Sequence, residues 1–282
     1  MTNNFKIACL QTRPMPNFDS ALQEMYDLAV SAVNKGAKLI ALPEYCGGLV
    51  TQGSLLNPPS ALEENHKVLT ELKKFSSKFK VFTLIGSIAI SSSNGKIFNR
   101  SYIIDDRGKI LSRYDKIHLF DVTLSEKEKY RESSVVSGGN TISVCKTKLG
   151  ILGQTVCYDL RFPSLYRELS QAGAQIIFVP AVFTKKTGEA HWHILNRARA
   201  IENGAYIVSP CAIGKVKGGG EGYGHSLIVN PWGEIISDGG NERGVSFADI
   251  NLDEVELTRK KIPSLTHDKK FSFLFEKERK TA

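Results

Sequence analysis

Short apolar runs alternate with helical patterns along most of this chain, and that alternation is what most restricts its fold. Residues 5–11 read as a strand, and 17–35 as a helix with apolar Leu22, Met25, Ala29 and Val33 at helical spacing. Gly36 is placed to close that helix. The run 37–43 is apolar apart from Lys38, the pattern of a strand buried on both faces in the middle of a sheet. A helix over 62–79 and a strand over 81–90 follow. The pattern then changes to hairpins: 98–105 and 109–115 flank Asp106-Arg107-Gly108, and 141–148 and 151–157 flank Leu149-Gly150. Helices over 163–172 and 189–203 alternate with strands over 175–179 and 205–210. Strands over 225–230, 234–237 and 245–250 complete the set, with Pro231-Trp232-Gly233 as a turn.

Helices paired with strands, together with antiparallel hairpins, predict a mixed α/β domain in which a sheet-on-sheet sandwich with helices outside buries both kinds of strand. A chain of 282 residues suits one such domain. No repeat, low-complexity tract or linker interrupts it, so the domain is expected to span 1–255, followed by a basic tail over 256–282. The formal charge is +8, and +5 of it falls from Arg259 onward. A charge concentrated in a tail, with no nucleic-acid motif beside it, is read as a solvated segment and not as a nucleic-acid surface. No run of about 18 apolar residues predicts a membrane span, and the first residues lack a signal core. The five cysteines are scattered singly with no C-x-x-C, which argues against a disulfide framework and for a reducing compartment, the cytoplasm by default.

Three residues carry candidate chemistry. Cys157 ends a β-run and precedes a helical pattern opening at Pro163, so it falls on a strand-to-helix turn where backbone N–H groups can hold an oxyanion. A cysteine there is commonly a plain core residue, and it needs a neighbouring group to become nucleophilic. Glu44 follows the apolar strand, at the carboxyl end where α/β sites collect. Alone it reads more readily as a loop cap. Lys116 ends the second strand of the first hairpin, and alone reads as a surface lysine. His118 is the best placed of the six histidines to partner Cys157, while His191 and His193 project from different faces of their helix. No two histidines have the i, i+4 spacing of a helical zinc site, so no metal or cofactor is expected.

Together, Pro43-Glu44, Tyr114-Asp115-Lys116-Ile117-His118-Leu119 and Val156-Cys157-Tyr158-Asp159-Leu160-Arg161-Phe162-Pro163 resemble the nitrilase (carbon–nitrogen hydrolase) superfamily in order and spacing, over about residues 6–250. The resemblance implies a four-layer αββα sandwich whose subunits pair as a homodimer or larger homo-oligomer. It implies Glu44 as general base, Lys116 as transition-state cation, Cys157 as nucleophile, and the Tyr158 N–H as an oxyanion donor. Glu132, in Tyr130-Arg131-Glu132-Ser133, matches the family's second glutamate and would orient Lys116. The family commonly follows that residue with Ser-Pro-Gly, where this chain has Ser137-Gly138-Gly139.

Cys157-Tyr158-Asp159 is similar to the amidase-type members, not to the Cys-Trp-Glu of true nitrilases, so the expected bond is an amide and not a nitrile; a small, anionic amide substrate suits the basic chain. Arg161 is expected either to face a substrate carboxylate or to form a buried ion pair with Asp159 or another acid. The block Phe183–Trp192 and the run from Leu195 to Asn203 resemble the deaminated-glutathione amidases of that superfamily more than its ω-amidases, with Thr184, Thr187 and His191 within reach of substrate. The Arg197–Glu202 run reads as a buried helix holding the site. The glycines from Gly218 to Gly224 lack a G-K-[ST] ending and read as a loop at the pocket mouth, not a phosphate loop. Rival classes are a catalytically silent scaffold of the same fold and a papain-like thiol hydrolase using His118.

Overall fold

A computed structural model describes residues 3–53, 55–126 and 129–274. Two sheets form its centre. The first runs Gly244–Asn251, Asn4–Gln11, Leu39–Ala41, Phe82–Ser91, Ile97–Ile104, Ile110–Asp115, with Ser60–Ala61 beside Phe82–Ser91. The second runs Ser143–Thr147, Gly150–Gln154, Ile176–Phe178, Tyr206–Ser209, Leu227–Val229, Ile235–Asp238. Each has parallel strands at its middle and antiparallel strands on its flanks.

Side-chain alternation sorts each strand between two layers. In Asn4–Gln11, Ile7 and Cys9 enter the core between the sheets, with Leu84, Leu152, Phe178 and Val208. Ala8 and Leu10 face the other way, against Met25, Leu28, Leu69 and Leu72 of helices Phe18–Asn34 and Lys67–Phe79. On the far side Ile177, Ile207 and Val229 meet Leu165, Leu169 and Ala200 of helices Pro163–Gln171 and His193–Asn203. The result is the four-layer αββα sandwich. Among the described residues no helix is long and apolar enough to cross a membrane.

Local departures have local causes. The helix expected over 62–79 begins only at Lys67, because Glu63 turns aside to bind Arg100 at 2.9 Å, Arg113 at 2.7 Å and the Tyr102 hydroxyl at 3.0 Å. The helix expected at 189 opens as a π-turn, Gly188–Trp192, before regular helix starts at His193. Hairpins Asp121–Thr123/Lys129–Arg131 and Ile213–Lys215/Glu221–Tyr223 are too short and polar to show a period of two in sequence. The boundary drawn at 255/256 falls inside the helix Leu252–Lys261, whose Val255 is buried. Arg259 donates to the carbonyls of Asn203 and Ala174, and Asp268 pairs with Arg167, so this part of the tail is docked. The charged residues expected over 275–282 lie outside the described residues.

His66 sits immediately before Lys67–Phe79, wholly buried and 4.6 Å from the Phe18 ring, with neither ring nitrogen hydrogen-bonded. Burial holds its pKa down at about 4, against an ordinary value near 6.5. The unfolded chain therefore takes up a proton that the folded chain refuses. Stability is complete above about pH 6.5 and falls between 6.5 and 4, by roughly 3 kcal/mol from this residue. Urea unfolding across that window is expected to show a shallower decline for His66→Leu than for the unsubstituted chain. Equal slopes would contradict it.

Candidate active site

Three strand ends supply the site. Leu39–Ala41 leads into Glu44, Gly150–Gln154 into Cys157, and Ile176–Phe178 into Val182, all beyond carboxyl ends of parallel strands. Lys116 follows the strand Ile110–Asp115 directly. Close backbone approach seats Glu44: a Cβ on Gly86 would lie 2.0 Å from the Leu42 carbonyl oxygen. The next residue, Tyr45, has φ 49°, so the chain turns sharply there.

Lys116 is the centre of the polar cluster. Its Nζ lies 3.0 Å from Glu44 Oε1 and 3.1 and 2.9 Å from the two oxygens of Glu132, with all three side chains at most 4% exposed. Among the described residues the ammonium donors thus meet carboxylate acceptors only. Burial works against its charge, but Glu132 and Glu44 outweigh burial and hold the lysine pKa well above its ordinary value. Burial likewise opposes ionisation of Glu44. Lys116 and the Val182 N–H, 2.9 Å from Oε2, overcome it and keep the carboxyl below its ordinary range.

Glu132 is fixed by the Phe120 N–H at 2.6 Å, and Asn99 Nδ2 bridges the two carboxylates at 2.9 Å from Glu44 and 3.1 Å from Glu132. The Ser137-Gly138-Gly139 departure leaves this acid in place. The Gly139 N–H donates to the Lys116 carbonyl at 2.9 Å, and a Cβ on Gly139 would lie 2.3 Å from the Asp115 carbonyl oxygen.

Cys157 begins a 3-10 turn, Cys157–Arg161, with φ 50°; its own N–H donates to the Pro180 carbonyl. Burial first, then the Glu44 carboxylate, push the thiol pKa well up, with Lys116 opposing. The sulfur therefore rests as a thiol beside Glu44, and the carboxylate is the group placed to take its proton. Tyr158 carries its backbone N–H in the first turn beyond the nucleophile.

Asp159 locks this turn to the lysine segment. Its buried carboxylate accepts from the Tyr114 hydroxyl at 2.7 Å, the Val156 N–H at 2.8 Å, the His118 N–H at 3.0 Å and His118 Nδ1 at 2.7 Å. His118, stacked on Phe162, is thus engaged by Asp159. Arg161 does not pair with Asp159, whose oxygens are occupied. Its guanidinium lies 3.3 Å from His191 Nδ1 and over the rings of Tyr158 and Phe183.

Glu44, Lys116, Glu132 and Cys157 line one cleft of about 760 Å³, mouth included, together with Thr184 and Thr187, whose hydroxyls are 2.7 Å apart. Arg161 and the exposed His191 are not among its lining residues. Arg131 is, and so are Gly219, Gly220 and Glu221 from the glycine run, which forms a hairpin turn. Asn99, Val182 and Arg131 are the site residues that sequence reading missed. Only Arg131 had a signal, its place beside Glu132.

A family model described as carbon-nitrogen hydrolase matches residues 6–260. The chain belongs to that family. As a carbon-nitrogen hydrolase it acts on C–N bonds other than peptide bonds. It is 38% identical to a deaminated glutathione amidase of Synechocystis over 92% of this chain and 96% of the relative. It is 33% identical to an omega-amidase of Xenopus tropicalis over 92% and 93% of the two chains. The crystal structure of the C. elegans NitFhit protein superposes with a TM-score of 0.85 at 28% identity, covering 94% of this chain. The present chain spans 65% of that longer one.

Proposed function

We propose that this carbon-nitrogen hydrolase is a deaminated glutathione amidase working through a Cys157 thioester. The convergence of Cys157, Glu44 and the doubly paired Lys116 in one cleft carries this reading. Glu44 takes the thiol proton, and the thiolate attacks the amide carbon. Lys116 and the Tyr158 N–H stabilise the oxyanion, a donor of this kind contributing roughly 3 kcal/mol to the transition state. Glu44 returns its proton to the amine as the C–N bond breaks, releasing cysteinylglycine. It then deprotonates a water that attacks the thioester, freeing α-ketoglutarate and restoring the thiol. Glu132 positions Lys116. Thr184 and Thr187 contact substrate, and Arg131 pairs with a substrate carboxylate. Arg161, held over the Tyr158 and Phe183 rings, contributes at the rim with His191 beside its guanidinium.

Turnover of deaminated glutathione is expected to exceed that of α-ketoglutaramate. The likeness to the Xenopus omega-amidase favours the opposite ranking, and product identification on both substrates decides between them. Glu44→Gln is expected to lower turnover by about 10³-fold, the scale of lost general-base catalysis, while Cys157 remains alkylatable by iodoacetamide. Near-normal turnover would remove Glu44 from the role.

Five unpaired, buried cysteines fit a cytoplasmic enzyme. Homodimer formation is supported by the helix His193–Asn203, which exposes Ile194 and Ile201, the latter packed beside Gly233 of the turn carrying Trp232, 53% exposed. Light scattering after chromatography is expected to give twice the chain mass, and one chain mass for Ile194→Lys.

A further inference from the structure

Outside the cleft, the fold gathers three metal-ligating side chains from distant parts of the sequence. His193 opens the helix His193–Asn203, His225 precedes the strand Leu227–Val229, and Asp238 ends the strand Ile235–Asp238. One donor atom from each lies within 4.8 Å of the other two. Asp238 Oδ2 is 3.1 Å from His193 Nε2, and Asp238 Oδ1 is 2.9 Å from His225 Nδ1. In a tetrahedral zinc site with bonds of about 2.0–2.1 Å, neighbouring donors stand roughly 3.3–3.4 Å apart. Asp238 Oδ2 is also 3.1 Å from His225 Nδ1, so a metal displacing the two His–Asp protons would need each nitrogen to move from that oxygen by only a few tenths of an ångström, with the two nitrogens already within 4.8 Å of each other.

The arrangement is held from behind. His225 adopts φ 50°, its N–H donates to the Gly240 carbonyl at 2.9 Å, and its carbonyl accepts from Trp192 Nε1 at 2.8 Å. The Tyr223 ring stacks on it at 4.6 Å, and the Gly240 N–H donates to Asp238 Oδ1 at 2.9 Å. The three side chains remain 19–34% exposed, so an ion and a water ligand have a path in. Two imidazoles and one carboxylate suit a borderline transition-metal ion, whereas calcium and magnesium prefer oxygen donors throughout.

We propose that His193, His225 and Asp238 form a binding site for a divalent transition-metal ion of the zinc type, separate from the amidase cleft. None of the three lines that cleft. They are nevertheless tied to its wall, since the Tyr223 N–H donates to the Phe183 carbonyl and Glu221, at the other end of the same strand, lines the cleft. The ion would clip the start of the helix to two strands of the second sheet and stiffen that wall.

Calorimetric titration of the untagged, metal-stripped chain with zinc chloride tests this. One Zn²⁺ per chain is expected to bind at micromolar concentration and to raise the thermal midpoint, and Mg²⁺ is expected to do neither. His193→Ala and Asp238→Asn should each weaken binding by more than about tenfold, the loss typical of removing even an outer partner of a zinc ligand. Cys157→Ala should leave it intact, which separates this site from zinc capture by the nucleophile. Asp238→Asn keeps the shape of the cluster, and circular dichroism confirms that each variant is folded. Absence of saturable binding, unchanged binding in a folded His193→Ala/His225→Ala variant, or loss confined to Cys157→Ala would overturn the proposal.

Discussion

Lys116→Met is expected to destabilise the fold by about 3–5 kcal/mol at pH 7.5 and to eliminate turnover, the first figure being typical of breaking a buried ion pair by removing one partner. The Lys116 ammonium is the cation bonded to both Glu44 and Glu132, and all three side chains are essentially excluded from solvent. Without it, two buried carboxylates face each other across Asn99 with only neutral donors. Like charge and burial both raise a carboxyl pKa, so at least one acid takes up a proton in the folded variant. The folded variant then binds more protons than its unfolded state, and its stability falls as pH rises through that raised pKa. The deficit relative to the unsubstituted chain should therefore be largest at pH 7.5 and shrink toward pH 5. Urea unfolding at both values measures it. A deficit below about 1 kcal/mol at pH 7.5 would contradict the buried charge cluster.

Cys157→Ala is expected to lower turnover by about 10⁵-fold or more, the scale seen when a covalent nucleophile is deleted. The fold should be nearly unaffected. The neutral thiol lies beside Glu44, and Ala removes one atom while Glu44 keeps its bonds to Lys116, Asn99 and the Val182 N–H. Two measurements are needed together. Mass spectrometry of protein quenched during turnover should show an acyl adduct on the unsubstituted chain and none on the variant, and the unfolding midpoint should stay within a few degrees. An acyl adduct on the variant at any position would defeat the thioester scheme. A variant that is inactive because it unfolds would leave the adduct on the unsubstituted chain as the deciding result.

The two experiments probe different properties of one cluster. Lys116 has a large structural share because its charge balances two buried acids. Cys157 has almost none, because a neutral thiol needs no balancing. Glu44 stands between them: its Oε1 belongs to the lysine pair and its Oε2 is held by the Val182 N–H. The base therefore remains aimed when the nucleophile is replaced.

Much of this was legible in the amino-acid order. Alternating strands and helices carried the four layers, since periods of two and 3.6 are local properties of the chain. Glu44, Lys116 and Cys157 stood out through their signature segments, each next to a strand end that sequence could place, whereas Glu132 stood out through its segment alone, since the short strand before it had no readable period. The Arg197–Glu202 run, expected to be a buried helix holding the site, is helical but only partly buried: Arg199 is buried, donates to the Leu160 carbonyl and pairs with Glu202, whereas Arg197, Ile201 and Glu202 are exposed.

Partner choice across the sandwich was not legible. Asp159 could have paired with Arg161, two residues away, yet it binds Tyr114 and His118 from the opposite sheet's edge. Asn99 looked like any polar residue in a hairpin strand until packing placed its amide between two carboxylates. His193, His225 and Asp238 show no metal spacing in sequence, because their approach is set by where a helix start and two strand ends meet. The sequence by itself determined which local elements form and which chemical groups stand at their ends, because propensity and periodicity act over a few residues. Only the tertiary structure decided which of those groups share a proton, a charge or a cleft, because such contacts join residues tens of positions apart and depend on how two sheets and their helices pack.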